Sequence, residues 1–262
     1  MIVYMTIPPI NQLLRSSVLH YAHIEGDRAQ AKTIAPRPSA TLVINIKGSF
    51  RIDGMNVPAV SVSGIREHPV RLDPNQGPID RIHVKFSPCG LNRFALVPQQ
   101  VLKNRTALAD EVFPAPALRE MISELSECES FAKRARVLDR FFLDLYSPPD
   151  PVEEAIEVLA NRICYDTACS LGRLLGEVPM SLRQTERNFA RIMGLSPRAF
   201  RRIARFERAK DGVLELGGRT LGDVGLEAGY YDQSHFVREF KSLSSMAPGS
   251  YSFCAPPIRS DS

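Results

Sequence analysis

Two periodicities divide the chain. In its first half, apolar positions gather in short runs rich in β-branched residues: Thr41 to Ile46, Ser49 to Asp53, Val60 to Ile65 and Arg81 to Phe86. Turn residues such as Lys47-Gly48 and Gly54 separate the runs, so each predicts a strand. Prolines at positions 36, 38, 58, 69, 74, 78 and 88 fall between or beside the runs, where a missing backbone donor does no damage. A compact β-sandwich or barrel follows. From Ala115 to Tyr146 the spacing turns helical, with Leu118, Met121, Ile122 and Leu125 on one face of a first segment. Leu138, Phe141, Phe142 and Leu145 share one face of a second. That stripe either packs on the β-rich part or makes a dimer contact.

Ser147-Pro148-Pro149-Asp150-Pro151 breaks the pattern, because its prolines remove backbone donors and force extended conformations. We expect a β-rich domain at residues 1–146 with closing helices at about 115–146, a Pro-rich linker at 147–151, and an all-helical domain at 152–262.

The helical part repeats itself. Phe189 and Phe240, Pro197 and Pro248, Phe200 and Tyr251, Arg187 and Arg238, and Ser181 and Asp232 all keep one offset of 51 residues. Two copies of one unit are therefore expected. In the first, Leu171, Leu174 and Leu175 form a short stripe, Val178-Pro179 breaks it, and Ser181 with Gln184 makes a capping box for the next helix. In the second, Thr220 with Asp223 caps a helix through Leu226, Gly229 permits a tight turn, and Asp232 caps the following helix. Helix, short turn and capped helix is the helix-turn-helix plan, which ordinary helix hairpins share. Ser196-Pro197 opens a connecting helix that continues through Phe200, Ile203, Phe206, Val213 and Leu216 to Gly217-Gly218. A helix of about 20 residues is about 30 Å long, close to the ~34 Å between successive major grooves on one face of B-DNA.

Charge sharpens the picture. The total is only +4 on 262 residues, and 44% hydrophobic with 24% charged residues excludes global disorder, collagen-like repeats and a disulfide scaffold. Residues 181 to 210, however, hold nine basic residues against two acidic, a local +7, whereas 151–262 as a whole sums to +1. Arginine predominates in that run, and its fork suits phosphate and the guanine edge. A solvated helical face is the alternative for any basic run taken alone.

Ser181-Leu182-Arg183-Gln184-Thr185-Glu186-Arg187-Asn188-Phe189, followed by Gly194-Leu195-Ser196-Pro197, resembles the S-x-R-x-L-x-R-x-F…G-x-S-P signature of AraC/XylS-type transcriptional regulators. The run from Val224 to Lys241 is similar to the family's I-A-x-x-x-G-F-x-D-x-S-x-F-x-R-x-F-K pattern, so the resemblance covers roughly residues 160 to 253. Val84 to Leu91 more weakly resembles a segment in the amino-terminal domain of one subgroup. The resemblance implies that Arg183, Gln184, Glu186 and Arg187 address a first major groove, and Gln233, Ser234, His235 and Arg238 a second. It places Phe189, Phe236 and Phe240 in the core. Three positions depart from the pattern. Thr185 replaces a leucine and is expected to bond the carbonyl four residues back. Ser245 stands where a glycine would end the penultimate helix, and Gly225 replaces alanine at about 1 kcal/mol of helix propensity.

Other chemistry is thinly supported. His20-x-x-His23 fits one helical face but has no third ligand nearby, and no close histidine–carboxylate cluster marks a metal-dependent barrel enzyme. No phosphate loop, nucleophile elbow or pair of catalytic carboxylates with supporting context is found, and no cofactor is expected. Cys89, Cys128, Cys164, Cys169 and Cys254 read as reduced thiols, with Cys89 open to two readings, a sensor thiol or a quiet structural residue. The first 17 residues lack a secretory pattern and no long apolar span occurs, so a cytoplasmic protein with no membrane contact is expected.

The expectation is an α+β multidomain protein: a β-rich, cupin-like barrel with closing helices that senses a ligand or dimerises, then two helix-turn-helix units joined by a long helix. It would be a sequence-specific DNA-binding transcriptional regulator and not an enzyme, working as monomer or homodimer on double-stranded promoter DNA. Family members often act as activators touching RNA polymerase, and a small-molecule effector is a further partner. Arg66, His68 and His83 are the polar candidates for its cavity. The alternatives are a metal-dependent β-barrel enzyme fused to a DNA reader, and a protein-binding regulator with weak DNA affinity.

Overall fold

The computed structural model describes residues 2–29 and 31–251. Cys254 and the rest of 252–262, the tail of the expected second domain, lie outside them.

Among the described residues, the first half forms ten strands: β1 (Ile2–Ile7), β2 (Val18–Ala29), β3 (Lys32–Ile34), β4 (Thr41–Lys47), β5 (Arg51–Ile52), β6 (Met55–Asn56), β7 (Val60–Ser63), β8 (Val70–Leu72), β9 (Asn75–Phe86) and β10 (Thr106–Leu108). They make two antiparallel sheets, one ordered β1-β2-β9-β4-β7-β10 and the other β3-β8-β5-β6. The expected barrel does not close: among the described residues no strand of one sheet pairs with the other. The smaller sheet is built from strands of two or three residues, too short to carry a continuous ladder around a barrel.

Alternation sorts the large sheet's two faces. Leu42, Ile44, Ile82 and Val84 point into the main core with Leu118 and Met121 of α1 (Ala115–Glu127) and Leu138 and Phe142 of α2 (Phe131–Leu145). The helical stripe therefore packs on the sheet. The opposite face carries Val43, which meets Phe50 and Leu72 in a small second cluster. Strand β2, the partner of both β1 and β9, is twelve residues long and places the His20-x-x-His23 pair on a strand rather than a helix. His23 Nε2 lies 2.9 Å from Asp80 Oδ1, and Arg134 donates to both Asp80 oxygens at 2.8 and 3.0 Å. Burial would raise the Asp80 carboxyl, but the hydrogen bonds from Arg134 and His23 outweigh it and hold it below the ordinary value. Pro78 falls inside β9, at the register shift between the Gly26–Ile79 and Arg28–Gln76 pairs, where the ladder asks nothing of its nitrogen.

Downstream of Pro149 the structure is helical: α3 (Pro151–Tyr165), α4 (Leu171–Gly176), α5 (Leu182–Met193), α6 (Pro197–Leu214), α7 (Leu221–Glu227), α8 (Gln233–Ser244) and α9 (Pro248–Tyr251). Asp150 caps α3 with Pro151 at its first position, and capping boxes form at Ser181/Gln184 and Thr220/Asp223. Helices α3 to α5 surround one core with Phe189, Ile192 and Phe200. A second core holds Phe206, Val224, Phe236 and Phe240. α6 serves both.

Candidate nucleic-acid interface

The repeat persists in the packing. α5 buries Thr185, Phe189, Ile192 and Met193, and α8 buries Phe236, Phe240, Leu243 and Ser244, the same four positions at an offset of 51. The ring pairs match as well: Phe189–Phe200 and Phe240–Tyr251 both sit edge-on with centroids 5.4 Å apart. Because the inward faces coincide, so do the outward ones. Arg183, Gln184, Glu186 and Arg187 are exposed on α5, as are Gln233, Ser234 and Arg238 on α8.

Two of the expected contacts are partly engaged within the protein. The Gln184 side-chain oxygen accepts from the Ser181 backbone at 3.1 Å and its hydroxyl at 2.7 Å, leaving only the amide NH2 turned outward. His235 is half-buried, its ring edge-on to Tyr230 and Nε2 2.9 Å from Glu239 Oε2. Residues beyond the expected set also face out. Arg191 extends the Arg183–Arg187 row at four-residue spacing, a signal that the sequence already held. Tyr231, 88% exposed, immediately precedes the α8 cap, and Leu182 is 57% exposed at the start of α5; neither carried a sequence signal.

The basic run divides sharply. Arg183, Arg187, Arg191 and Arg198 are exposed. Arg201, Arg205 and Arg208 instead turn inward along one face of α6. Arg201 donates to Cys169 O at 2.7 Å, Arg205 to Glu239 at 3.3 Å, and Arg208 to the carbonyls of Ile163, Cys164 and Ala228. Lys210 is buried against Glu207 at 2.6 Å. The local +7 is thus in part internal stitching. A cleft of about 700 Å³ between the two units is lined by Ser170, Ser196, Arg198, Arg202 and His235, among others.

Thr185 corrects an expectation. It is fully buried, but its hydroxyl has no partner; the Ser181 carbonyl takes the Thr185 backbone N–H instead, at 2.9 Å. Gly225 is tighter than propensity implied, since a Cβ there would meet the Phe236 ring at 3.0 Å. Cys89 is 1% exposed with its sulfur 3.2 Å from Met193 Sδ, and burial pushes its thiol well up, which suits a quiet residue. Burial likewise pushes the Cys164 thiol up to about 12.

The three effector candidates do not gather at one place. Arg66 donates to Asn104 O at 3.0 Å and Thr106 Oγ1 at 2.7 Å, and His68 is exposed on the same loop. His83 lies on β9 in the row Arg81–His83–Lys85, on the face turned away from α1 and α2. Burial, then Lys85 and Arg81, push His83 well below its ordinary value. Burial, with Arg37 adding to it, pushes Lys85 well below its own. Among the described residues no group of three or more His, Cys, Asp or Glu is placed to hold a metal ion, and no described helix is long and apolar enough to cross a membrane.

The family described as a helix-turn-helix domain matches residues 174–252. The match runs from α4 to α9 and so takes in both helix-turn-helix units. No curated protein matches the chain in sequence. Among solved structures, ToxT from Vibrio cholerae in a P21 crystal form is 12% identical with a TM-score of 0.49, covering 89% of this chain and 98% of ToxT. Unsaturated fatty acid-bound ToxT from V. cholerae strain SCE256 is 13% identical with a TM-score of 0.49, covering 91% and 95%. The xylose-binding transcription activator xylR is 20% identical with a TM-score of 0.35, covering 44% and 30%.

Proposed function

We propose that the protein regulates transcription by reading a non-palindromic promoter site with α5 and α8 in successive major grooves, in answer to a small molecule held by its β-rich half. The observation that carries the first part is the matched burial of the two helices, which turns Arg183 with Arg187 and Ser234 with Arg238 outward at equivalent positions. Arg183, Arg187 and Arg238 have the fork for guanine or phosphate; Gln233 suits adenine, and Gln184, Glu186, Ser234 and His235 complete the two polar faces. RNA polymerase is the further partner that this role calls for. Affinity for promoter DNA should fall by orders of magnitude between about 50 and 200 mM salt. Salt-indifferent binding, or none to a pool of random duplexes, overturns the reading.

A specific observation favours the second part. His83 Nε2 is buried without a partner, and Lys85 bonds only Thr41 Oγ1, at 3.0 Å, with no carboxylate within salt-bridge distance among the described residues. Lys32, Arg37 and Arg81 add positive charge around them, while Glu207, paired with Lys210 at 2.6 Å, opposes it at Lys85. Such a site takes an anion, and an anion raises the depressed Lys85 toward its ordinary value, so binding takes up protons and strengthens as pH falls. Titration calorimetry of small carboxylates and phosphates in buffers of different ionisation enthalpy measures that uptake. Binding that Lys85→Gln leaves untouched removes this site.

A further inference from the structure

We propose that Arg208 is a positioning residue that sets the distance and angle between the two DNA-reading helices, making the spacing of the two halves of the DNA site part of its specificity. The inference rests on the DNA-reading role proposed above.

The two units are separate cores on one shared helix, and a shared helix alone leaves each unit free to roll about it. Arg208 is placed to stop that rolling. Nη1 donates to the carbonyls of Ile163, at 3.3 Å, and Cys164, which end α3 in the first unit. Nη2 donates to Ala228 O at 3.0 Å, the residue that ends α7 in the second unit. The last carbonyls of a helix have no partner inside it and carry the negative end of its dipole, so one guanidinium closes two helix ends that belong to different units. The bonds are made by a planar fork whose two ends cannot move independently, so a shift of one unit must break a bond to the other.

The neighbours on α6 act in the same direction. Arg201, Arg205 and Arg208 follow at spacings of four and three residues, one face of a helix. Arg201 holds Cys169 O of the first unit, while Arg205 holds Glu239 on α8 and lies over the Tyr230 ring at 5.0 Å. Arg208 alone bonds both units. It also leads into the reading heads, because Ala228 directly precedes the turn into α8.

On DNA, one inserted base pair moves the second groove about 3.4 Å along the axis and about a tenth of a turn around it. A rigid pair of heads cannot follow, whereas a loosened pair can. The experiment uses the full chain and a duplex selected from a random pool, then remade with one base pair added or removed between the two contacted segments. The unaltered protein should lose about tenfold or more in affinity on either respaced duplex, the scale of a misplaced base contact. Arg208→Met should bind the selected duplex several-fold more weakly but lose less than about threefold on respacing, with a duplex carrying only the first segment bound as before. Arg208→Lys keeps the charge without the fork and should fall with Arg208→Met; it carries the test if the methionine variant does not fold. Failure of the unaltered protein to bind any duplex refutes the DNA-reading role itself. Binding that is indifferent to spacing refutes the rigid pair, and folded variants that keep the unaltered discrimination refute the assignment to Arg208.

Discussion

The two helix-turn-helix units share a plan and differ in what the far end of the reading helix meets. In the first, that end is pressed against the β-rich half: Asn92 donates to Ile192 O at 3.0 Å, Met193 touches Cys89, and a Cβ on Gly194 would come within 2.9 Å of Gln99 O. In the second, the equivalent Ser244 turns its hydroxyl back on its own helix, to Phe240 O at 2.8 Å, and Ser245 is exposed. One head is anchored to the β-rich half and the other is carried on α6. A rearrangement in the β-rich half therefore reaches the end of α5 by direct contact, whereas its link to the second unit is Ala35, packed against that unit's core rather than against the end of α8.

The units also fill their cores differently, and the largest expected effect lies there. Position for position, the first unit buries Leu174 and Thr185 where the second buries Gly225 and Phe236, so large and small residues have changed places. Phe236→Thr should cost about 3 to 5 kcal/mol, the range for emptying a buried phenylalanine site. Gly225→Leu alone should also destabilise, because even its Cβ would crowd the ring. Together they rebuild the first unit's pair, and the double variant should recover about 1 kcal/mol or more relative to additivity. Urea melts of the four proteins give the coupling; simple additivity would show that the two pairs are not interchangeable.

Next in size is the division of DNA affinity between the heads. Arg187→Ala and Arg238→Ala remove equivalent outward arginines, and each should weaken binding by about 1 to 3 kcal/mol if its side chain reads a base. Titrations against a selected duplex separate the cases. A loss at Arg187 alone would mean that the anchored head reads sequence while the carried head contributes little.

How much of this was legible in the sequence follows from where each signal resides. Caps, prolines and the 51-residue offset are written in side-chain identities, so the helical half and its outward row could be read before the structure. Closure of the β-rich half depends on pairing between distant strands, which composition does not encode. β2 was missed because His20, His23, Glu25 and Asp27 interrupt its apolar alternation and two register shifts change its face. The α6 arginines misled for a related reason. Their partners are mostly backbone carbonyls, which every residue has, so the sequence displays the charge and conceals its use. Arg191 was within reach by spacing, whereas the separation of His83 from Arg66 and His68 required the fold.

A smaller effect tests the first unit's own irregularity. Thr185 holds an unpartnered hydroxyl in a site without solvent, and such a group costs roughly 1 to 3 kcal/mol relative to a satisfied one. Valine has nearly the same shape without the hydroxyl, so Thr185→Val should stabilise by about 1 to 2 kcal/mol, a rise measurable by thermal or urea melts. The exchange adds no bulk beside Arg183 or Arg187, and DNA affinity should stay the same. A loss of stability would mean that the hydroxyl finds a partner in solution.

The smallest effect returns to the two helix ends. Gly194 and Ser245 occupy the same repeat position and both adopt the left-handed conformation, with φ of 75° and 64°. Glycine meets no Cβ penalty there, whereas serine carries one of about 1 to 2 kcal/mol, offset in part by the greater unfolded-state freedom of glycine. Ser245→Gly should therefore stabilise by about 0.5 to 1 kcal/mol. The reverse exchange at the anchored end is unequal. Gly194→Ser meets the conformational penalty and also drives a Cβ toward Gln99 O, so it should destabilise by more than Ser245→Gly gains and loosen the contact between α5 and the β-rich half. Hydrogen exchange at residues 99–102 resolves the two contributions: faster exchange there in Gly194→Ser, with no change in Ser245→Gly, is the expected result. Equal and opposite stability changes with unaltered exchange would show that the anchored end carries no load from the β-rich half.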